Sequence, residues 1–384
     1  MKVLFVPFNY KNHYFPMAGV FVEEQIKALQ QKAVDVRVLN VVAIPLPKAI
    51  KMGVRALGYQ SRTENGVAII QYLFPAIPKL PKLTQWLREV IQKRLAKRLL
   101  KTWQPDVCHV HMFPGGGVAR WLKQAKRIPY VVTEHLSGFA EERYDKGQLQ
   151  VAKQCYQDAS ERIAVSQHLA NTLHRSFQLS FQVLPNCVDT AFFVPQQAAV
   201  TGNIKRLINI GRMVEVKNQL GLLHAFAEAN LPQEVTLTLI GDGPLKTNIE
   251  DKIQELGLIH RVQLLGQLNK TQIRDQLAAH DAFVLSSHYE TFGVVLIEAM
   301  SMGLPVLSTP CQGASEIITD ARVGFICDDK HKLAESLCRF VSLSFESNVI
   351  RQHVLTHYSY DHVSDELVSL YQASYHRSQI NGAL

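Results

Sequence analysis

The sequence lacks the marks of several protein classes. No uninterrupted apolar stretch approaches the roughly 18 residues that cross a bilayer. The six cysteines are scattered and form no C-x-x-C pair, which argues against a disulfide framework or a zinc site and favours a reducing compartment. The opening MKVLFVPF is a poor signal peptide, because its apolar run is short and is interrupted by Pro7. We therefore expect a cytoplasmic protein without a membrane span.

The chain also lacks an Asp-x-Asp pair, the clustered carboxylates that would hold Mg²⁺ or Mn²⁺. We expect no metal and no cofactor. What the sequence does have is 384 residues, of which 47% are hydrophobic and 19% charged. This composition is typical of a folded protein, and the length suits two domains of similar size.

Short β-rich segments alternate with helical patterns in both halves of the chain, as at 107–111 and 206–210. This alternation predicts two mostly parallel sheets covered by helices. The pattern breaks near 185–195, and a small, polar stretch follows. We predict domains at 1–190 and 191–361, and a C-terminal helical segment at 362–384 that packs back on the first domain.

Positive charge is concentrated in residues 79–101. This stretch has eight Lys or Arg and one acid, a net +7 out of +8 for the whole chain. Apolar residues recur there every four positions, at Leu83, Leu87, Ile91, Leu95 and Leu99, which predicts a basic amphipathic helix. Such a helix can lie on an anionic membrane surface, or it can pack its leucine stripe on its own domain. Both interpretations remain open, and no nucleic-acid motif accompanies the stretch.

The segment 281–308 reads as strand, loop, helix and strand, with acids at Glu290 and Glu298. Thr291 is a good N-cap, which would place Phe292, Gly293 and Val294 in the first helical turn. Their free N–H groups and the helix dipole could hold a phosphate. Carboxylates on either side could bind the hydroxyls of a ribose and of a sugar. A buried helix that carries two acids by chance would have the same pattern.

A second segment places Arg212 and Lys217 directly after a strand. Two cations on a strand-end loop can neutralise a diphosphate, since Arg forks onto two oxygens and Lys acts as a point charge. Surface cations with no such role are the alternative. His109 and His111 form H-x-H on a strand and point to one face. They are interpreted as packing or acceptor-side residues, with metal binding as the minor alternative.

These motifs together resemble the retaining glycosyltransferases of family 4, which have the GT-B fold. The resemblance rests on Gly211-Arg212…Lys217, on the loop from Gly241 to Pro244, on Glu290-x7-Glu298 and on Gly313-Ala-Ser-Glu316. In the first half it includes the segment after Gly19, Pro105-Asp-Val-Cys-His-Val-His111 and Val132-Thr-Glu-His135. It implies an α/β protein of two Rossmann-like domains with parallel sheets facing across a cleft, and a nucleotide-sugar donor held mainly by the second domain.

The resemblance also implies roles for individual residues. Arg212 and Lys217 would hold the diphosphate, Glu298 the ribose and Glu290 the donor sugar. The donor would further contact the residues that follow: Gly19, Gln267, Leu268, Phe292, Gly293 and Val294. His135 would lie near the reacting sugar. The reaction would retain the anomeric configuration without a metal.

Three functions are compatible with this pattern. The first is transfer of a sugar to a polysaccharide, lipid-linked or other glycan acceptor, with peripheral membrane contact through 79–101. The second is a non-hydrolysing nucleotide-sugar epimerase of the same fold. The third is a non-catalytic carbohydrate-binding protein, against which the complete set of Arg212, Lys217, Glu290 and Glu298 argues.

Overall fold

A computed structural model describes residues 1–12, 15, 18–53, 56–195, 200–201 and 204–380. The chain divides into two compact units. Unit 1 comprises Met1–Pro185 and Val363–Leu384, and unit 2 comprises Asn186–His362. The sequence analysis had placed this joint at 190 and 361.

Unit 1 is built on an eight-stranded sheet with the order β3-β4-β2-β1-β5-β6-β7-β8. Its strands are β1 (Lys2–Pro7), β2 (Asp35–Ile44), β3 (Gly58–Glu64), β4 (Val67–Pro75), β5 (Val107–His111), β6 (Tyr130–Glu134), β7 (Glu161–Ala164) and β8 (Gln182–Val183). Its helices before the joint are α1 (Val20–Gln31), α2 (Leu46–Met52), α3 (Pro81–Leu99), α4 (Gly116–Lys126), α5 (Lys146–Asp158) and α6 (Gln167–Phe177). Every residue of β5 and β6 is buried, as expected for central strands covered on both faces.

The edge of this sheet was not predicted. β3 pairs antiparallel with β4, whereas the other ladders of the sheet are parallel. Asn65 and Gly66 connect the two strands with φ of 48° and 79°. Two successive positive φ values suit an Asn-Gly hairpin turn, because its twist matches that of the strands.

Unit 2 contains a six-stranded parallel sheet with the order β12-β11-β10-β13-β14-β15. Its strands are β9 (Val200–Thr201), β10 (Arg206–Ile210), β11 (Thr236–Ile240), β12 (Val262–Gly266), β13 (Ala282–Leu285), β14 (Val306–Ser308), β15 (Gly324–Ile326) and β16 (Phe345–Glu346). Its helices are α7 (Gln219–Glu228), α8 (Lys246–Glu255), α9 (Lys270–Ala278), α10 (Val294–Ser301), α11 (Gln312–Ile317), α12 (Leu333–Val341) and α13 (Ser347–Tyr358). β9 and β16 form a separate antiparallel ladder.

In both main sheets the chain starts at a central strand and adds strands toward one edge of the sheet. It then returns to the central strand and adds the remaining strands toward the opposite edge. This change of direction falls between β1 and β5 in unit 1 and between β10 and β13 in unit 2. In open α/β sheets, ligands bind outside the carboxyl ends of the strands at such a switch point.

The last helix, α14 (Tyr360–Ile380), belongs to unit 1 from Val363 onward. Tyr371 is fully buried, and its hydroxyl lies 2.6 Å from Nδ1 of His109 on β5. Arg377 forms an ion pair with Glu161 at the start of β7. The C-terminal segment therefore completes the core of unit 1. The predicted residues 381–384 lie outside the described residues.

The predicted apolar stripe of α3 is only partly its packing face. Leu99 is buried, the members at 87, 91 and 95 are half-buried, and Leu83 is exposed. The residues of α3 that are buried in unit 1 are Arg88, Gln92, Ala96 and Leu99. Leu83 and Trp86 are instead 41% and 57% exposed. Arg88 is accommodated because its guanidinium stacks over the ring of Phe8 at 4.4 Å, a contact that no hydrophobic periodicity reveals. None of the described helices is both long and apolar enough to span a membrane.

Candidate functional site

Unit 2 gathers its predicted residues at the carboxyl ends of its strands. Arg212 follows β10, Gln267 and Leu268 follow β12, and Glu290 follows β13. The side chains of Arg212 and Gln267 are exposed, and Leu268 is half-buried. Because these strands are parallel neighbours, their ends share one edge of the sheet.

The loop that carries Arg212 is held tightly by the loop after β11. Gly241 has a φ of 147°, and a Cβ there would overlap the carbonyl oxygen of Gly211. The N–H of Met213 donates to the carbonyl of Asp242 at 3.0 Å. Only glycine at position 241 permits this close approach, which fixes the backbone that presents Arg212.

Lys217 and Glu290 meet directly at the switch point between β10 and β13. The Nζ of Lys217 lies 2.5 Å from Oε1 of Glu290, and the hydroxyl of Ser287 donates to the same oxygen at 2.7 Å. The Ser286 hydroxyl donates to the carbonyl of Lys217 at 2.9 Å. Glu290 is buried, so the ion pair is partly shielded from water. The sequence predicted both residues but not their contact, which spans 73 positions.

The predicted start of α10 is wrong. The helix begins at Val294, Gly293 precedes it with a φ of 101°, and Thr291 does not cap it. A residue with that φ cannot belong to a right-handed helix, so the helix cannot begin earlier. Phe292 is buried and packs on the ring of Tyr358 with centroids 5.8 Å apart, which draws the turn inward. Phe292 and Gly293 therefore precede the helix, although the turn still leads directly into its N-terminus.

Gly313 holds this turn from the other side. Its N–H donates to the carbonyl of Glu290 at 3.1 Å, and a Cβ on Gly313 would lie 2.5 Å from the carbonyl oxygen of Phe292. Glu298 is half-buried within α10. Unit 2 thus combines a cationic loop, a buried carboxylate and a helix N-terminus, an arrangement able to bind an anionic ligand that carries hydroxyl groups.

Unit 1 contains the remaining predicted residues. Gly19 precedes α1 with a φ of 70°, and a Cβ there would lie 2.6 Å from the carbonyl oxygen of Asn9. Residues 13, 14, 16 and 17 of the preceding loop lie outside the described residues. His135 follows β6, and its Nε2 lies 3.1 Å from Nδ1 of His111 on β5.

Three histidines form a row in unit 1. The ring centroids of His109 and His111 are 4.2 Å apart, and those of His111 and His135 are 5.3 Å apart. The two nitrogens of His109 contact Tyr371 Oη and Thr133 Oγ1, at 2.6 and 2.8 Å. Burial lowers the pKa of His109 and of His135 to about 3, and it lowers the pKa of His111 well below its usual value. The row is therefore uncharged at neutral pH.

Glu134 is a structural participant that the sequence analysis did not single out. Its fully buried carboxylate accepts hydrogen bonds from the N–H groups of Phe113, His135 and Leu136, at 2.9 to 3.1 Å. It also accepts one from the hydroxyl of Tyr156 at 2.7 Å. Burial raises its pKa, although these donors act in the opposite direction. An acid at the end of an otherwise uncharged strand, YVVTE, was the available signal.

Among the described residues, no three His, Cys, Asp or Glu side chains come together in a way that could hold a metal ion. Each of the two units is doubly wound and has polar groups at the carboxyl ends of its strands, where open α/β sheets bind their ligands.

Comparison with known proteins identifies the family. Residues 18–192 match the model described as Glycosyltransferase Family 4, and residues 193–356 match the model described as Glycosyl transferases group 1. The chain is a glycosyltransferase and belongs to family 4 with the GT-B fold, as the sequence motifs predicted.

Relatives of known sequence include TuaC of Bacillus subtilis (strain 168), a glycosyltransferase whose name refers to teichuronic acid biosynthesis. It is 29% identical over 341 residues, which is 83% of each chain. The N-acetyl-alpha-D-glucosaminyl L-malate synthase of Bacillus anthracis is 26% identical over 58% of this chain and 61% of its own length.

Among solved structures, sucrose-phosphate synthase from Thermosynechococcus elongatus superposes with a TM-score of 0.74 at 18% identity, over 100% of this chain and 99% of its own. HepE of Anabaena in complex with UDP gives a TM-score of 0.70 at 20% identity, over 97% and 100%. These similarities establish the fold.

Proposed function

We propose that this glycosyltransferase takes its sugar from a nucleotide-sugar donor bound at the strand ends of unit 2. The observation that carries this proposal is the Lys217–Glu290 pair at the switch point, with Arg212 and the α10 N-terminus in the same unit. HepE, whose structures contain UDP and UDP-glucose, supports the same ligand class.

The proposed roles follow from charge and geometry. Arg212 and Lys217 neutralise the diphosphate, and this cationic arrangement allows transfer without a metal. The backbone of Phe292, Gly293 and Val294 contacts the phosphate or the sugar.

The two glutamates bind hydroxyl groups, Glu290 on the donor sugar and Glu298 on the ribose. Gln267 and Leu268 contact the base. In unit 1, Gly19 would contact the donor phosphates and His135 would lie near the reacting sugar, as the family resemblance implies.

We further propose transfer with retention of the anomeric configuration. The bond between the anomeric carbon and the phosphate oxygen breaks, and the acceptor oxygen bonds to that carbon on the same face. The acceptor proton passes to the departing phosphate. Glu290 is engaged by Lys217 and Ser287, which suits a sugar-positioning group better than the nucleophile that a double displacement requires.

The proposed acceptor is a polysaccharide, a lipid-linked glycan or another glycan. Its support is the relative TuaC, whose name places it in teichuronic acid biosynthesis. The proposed peripheral contact with an anionic membrane rests on the exposed face of α3. Leu83 and Trp86 lie on this face with Arg94 and Lys97. The successive spacings of three, eight and three residues bring all four to the same side of the helix.

The experiment that tests the donor site is ligand binding with paired variants. We expect Arg212→Ala with Lys217→Ala to weaken binding of the preferred nucleotide sugar by about 100-fold or more, because two charge-assisted contacts are lost. The preferred donor is first found with a thermal-shift panel of nucleotide sugars, since a ligand of the folded state raises the unfolding temperature.

The matched control is Lys252→Ala with Arg322→Ala, which removes one lysine and one arginine that pair with surface acids of the same unit. Undiminished donor binding in the first variant would refute this site. An epimeric product formed from a nucleotide sugar without any acceptor would favour the epimerase over the transferase.

A further inference from the structure

The contact between His111 and His135 links a residue with a proposed role to one with none. His111 lies on β5 and is fully buried, and its Nδ1 is 3.1 Å from Nε2 of His135. The family resemblance implies that His135 lies near the reacting sugar, whereas His111 is predicted from its position to be a packing or acceptor-side residue. Two facing imidazole nitrogens form a hydrogen bond only when one of them carries a proton.

We propose that His111 is a positioning residue that fixes the orientation of the His135 ring and couples its tautomer to that of His111, so that His135 presents Nδ1 to a hydroxyl of the reacting sugar. This inference rests on the proposed function, because it takes His135 to lie beside the donor sugar.

The geometry leaves His135 one nitrogen for a ligand. Its Nε2 is occupied by His111, and its backbone N–H donates to Glu134 at 2.9 Å. The ring of Phe21 packs against the His135 ring with centroids 4.2 Å apart. Nδ1 of His135 is buried, and no described group of the protein bonds to it. A buried imidazole nitrogen without a partner is costly, so the contact it lacks is one that substrate can supply.

The tautomers of the two rings are linked. Each neutral imidazole carries a single N–H, and one N–H must lie between the rings. If His135 donates to His111, then Nδ1 of His135 is a bare acceptor and Nε2 of His111 carries a proton. If His111 donates to His135, then Nε2 of His111 is the bare acceptor and Nδ1 of His135 carries the proton. Nε2 of His111 is also buried without a partner among the described residues. This fits a pair in which Nε2 of His111 and Nδ1 of His135 gain and lose their protons in opposite directions.

The surroundings keep the pair neutral and aligned. Phe5 stacks on His111 with centroids 5.0 Å apart, and His109 lies on the same ring at 4.2 Å. Burial and the neighbouring histidines lower the pKa of His111, so the shared proton is not joined by a second one at neutral pH. Neutral His135 therefore acts as a hydrogen-bond donor or acceptor through Nδ1. The hydrogen bond between its Nε2 and His111 sets the orientation of the His135 ring.

The test replaces His111 and measures two quantities, the kcat of transfer and the tautomer of His135. His111→Phe keeps an aromatic ring in the stack and removes the hydrogen bond to His135. We expect kcat for transfer to fall about 10- to 100-fold while donor affinity stays within about 2-fold, since one group loses its alignment but the diphosphate contacts remain. His111→Asn, whose amide can reach the position of Nδ1, is expected to recover part of kcat.

Imidazole ¹⁵N NMR of the folded protein supplies a readout that a packing role would not change. The two neutral tautomers have different nitrogen shifts. We expect His135 to show one tautomer pattern in the wild type and an altered or averaged pattern in His111→Phe. Tyr371→Phe is the control, because it removes a partner of His109 and leaves the His111–His135 contact in place. This control is expected to keep the His135 pattern.

Unchanged His135 shifts in His111→Phe would overturn the proposal, and so would unchanged kcat. If His111→Phe fails to fold, His111→Asn carries the same two measurements. If the wild type transfers no sugar from any nucleotide sugar, the proposed function fails instead. The NMR comparison then still decides whether His111 sets the tautomer of His135.

Discussion

Single residues of unit 2 position the proposed donor turn through backbone contacts. Gly313 is the clearest case, since a Cβ there would lie within 2.8 Å of three backbone atoms of Phe292. Backbone atoms cannot rotate away as a flexible side chain can, so the turn itself must move.

We therefore expect Gly313→Ala to lower kcat/KM about 10- to 100-fold, because a displacement of the order of 1 Å misplaces Glu290 and the amides beside it. Steady-state kinetics and donor titration check this. The matched control is Gly257→Ala in the same unit, where φ is 66° and no atom lies within 4 Å of the new Cβ. That variant is expected to lose stability through backbone strain but to keep its kcat/KM. Equal kinetic losses in both variants would contradict the argument.

At the scale of elements, α3 exposes apolar and cationic side chains on one face, although Nζ of Lys97 also lies over the ring of Trp121 at 5.6 Å. Its buried side is Arg88, Gln92, Ala96 and Leu99, so the apolar Leu83 and Trp86 are left at the surface near Arg94 and Lys97. Apolar side chains insert at the headgroup boundary, and cations are attracted to anionic lipid.

We expect Arg94→Gln with Lys97→Gln to lower the partition coefficient for vesicles of phosphatidylglycerol and phosphatidylcholine about 30-fold, since two cations contribute about 1 kcal/mol each. Co-sedimentation with the vesicles measures this coefficient. Leu83→Ser with Trp86→Ser should weaken binding even at high salt, because burial of apolar area is not screened. The charge-matched control is Lys126→Gln with Lys153→Gln, two exposed cations on other helices of unit 1. Equal losses in the control would indicate a general charge effect and not a surface on α3.

The elements also show how far sequence reasoning reaches. The strands predicted at 107–111 and 206–210 match the structure, because they are short apolar runs bounded by turn signals. Neither strand of the β3–β4 hairpin was predicted. β3 was missed because GYQSRTE reads as polar, as an edge strand does, although Asn65-Gly66 was a hairpin signal.

The candidate site was predicted as a set of residues but not as contacts. The motifs supplied Arg212, Lys217, Glu290 and Glu298, whereas the Lys217–Glu290 ion pair joins positions far apart in sequence. The helix start at Thr291 was wrong because cap preference is local, while Gly293 takes its conformation from the packing of Phe292. In α3 the partner surface selects which residues are buried, and Leu99 is the one member of the predicted stripe that is fully buried.

At the scale of the whole molecule, three histidines make the stability of unit 1 sensitive to acid. His109 and His111 are fully buried and His135 is half-buried, and loss of hydration lowers the pKa of each. Between pH 6.5 and the lowered values the unfolded chain binds protons that the folded unit does not. Stability therefore falls as pH decreases through this window.

We expect the free energy of unfolding of unit 1 to drop by about 1 kcal/mol per histidine between pH 7 and 5.5. All three tryptophans (86, 103 and 121) lie in unit 1, so urea unfolding followed by tryptophan fluorescence reports on this unit. His109→Phe should remove about a third of the pH dependence, whereas His174→Asn, at the surface, should leave it intact. A pH dependence that is identical in all three proteins would rule out this explanation.

The C-terminal helix has a further consequence for how the chain is made. Tyr371 contacts His109, 262 residues earlier, and it fills the core of the unit that begins at the first residue. During synthesis on the ribosome, every residue of unit 2 emerges before the part of this helix that belongs to unit 1, which begins at Val363. The second unit can thus complete its core first, while the first waits with an open face for the end of the chain. Newly made unit 1 is therefore the part of the nascent protein that depends on protection from aggregation.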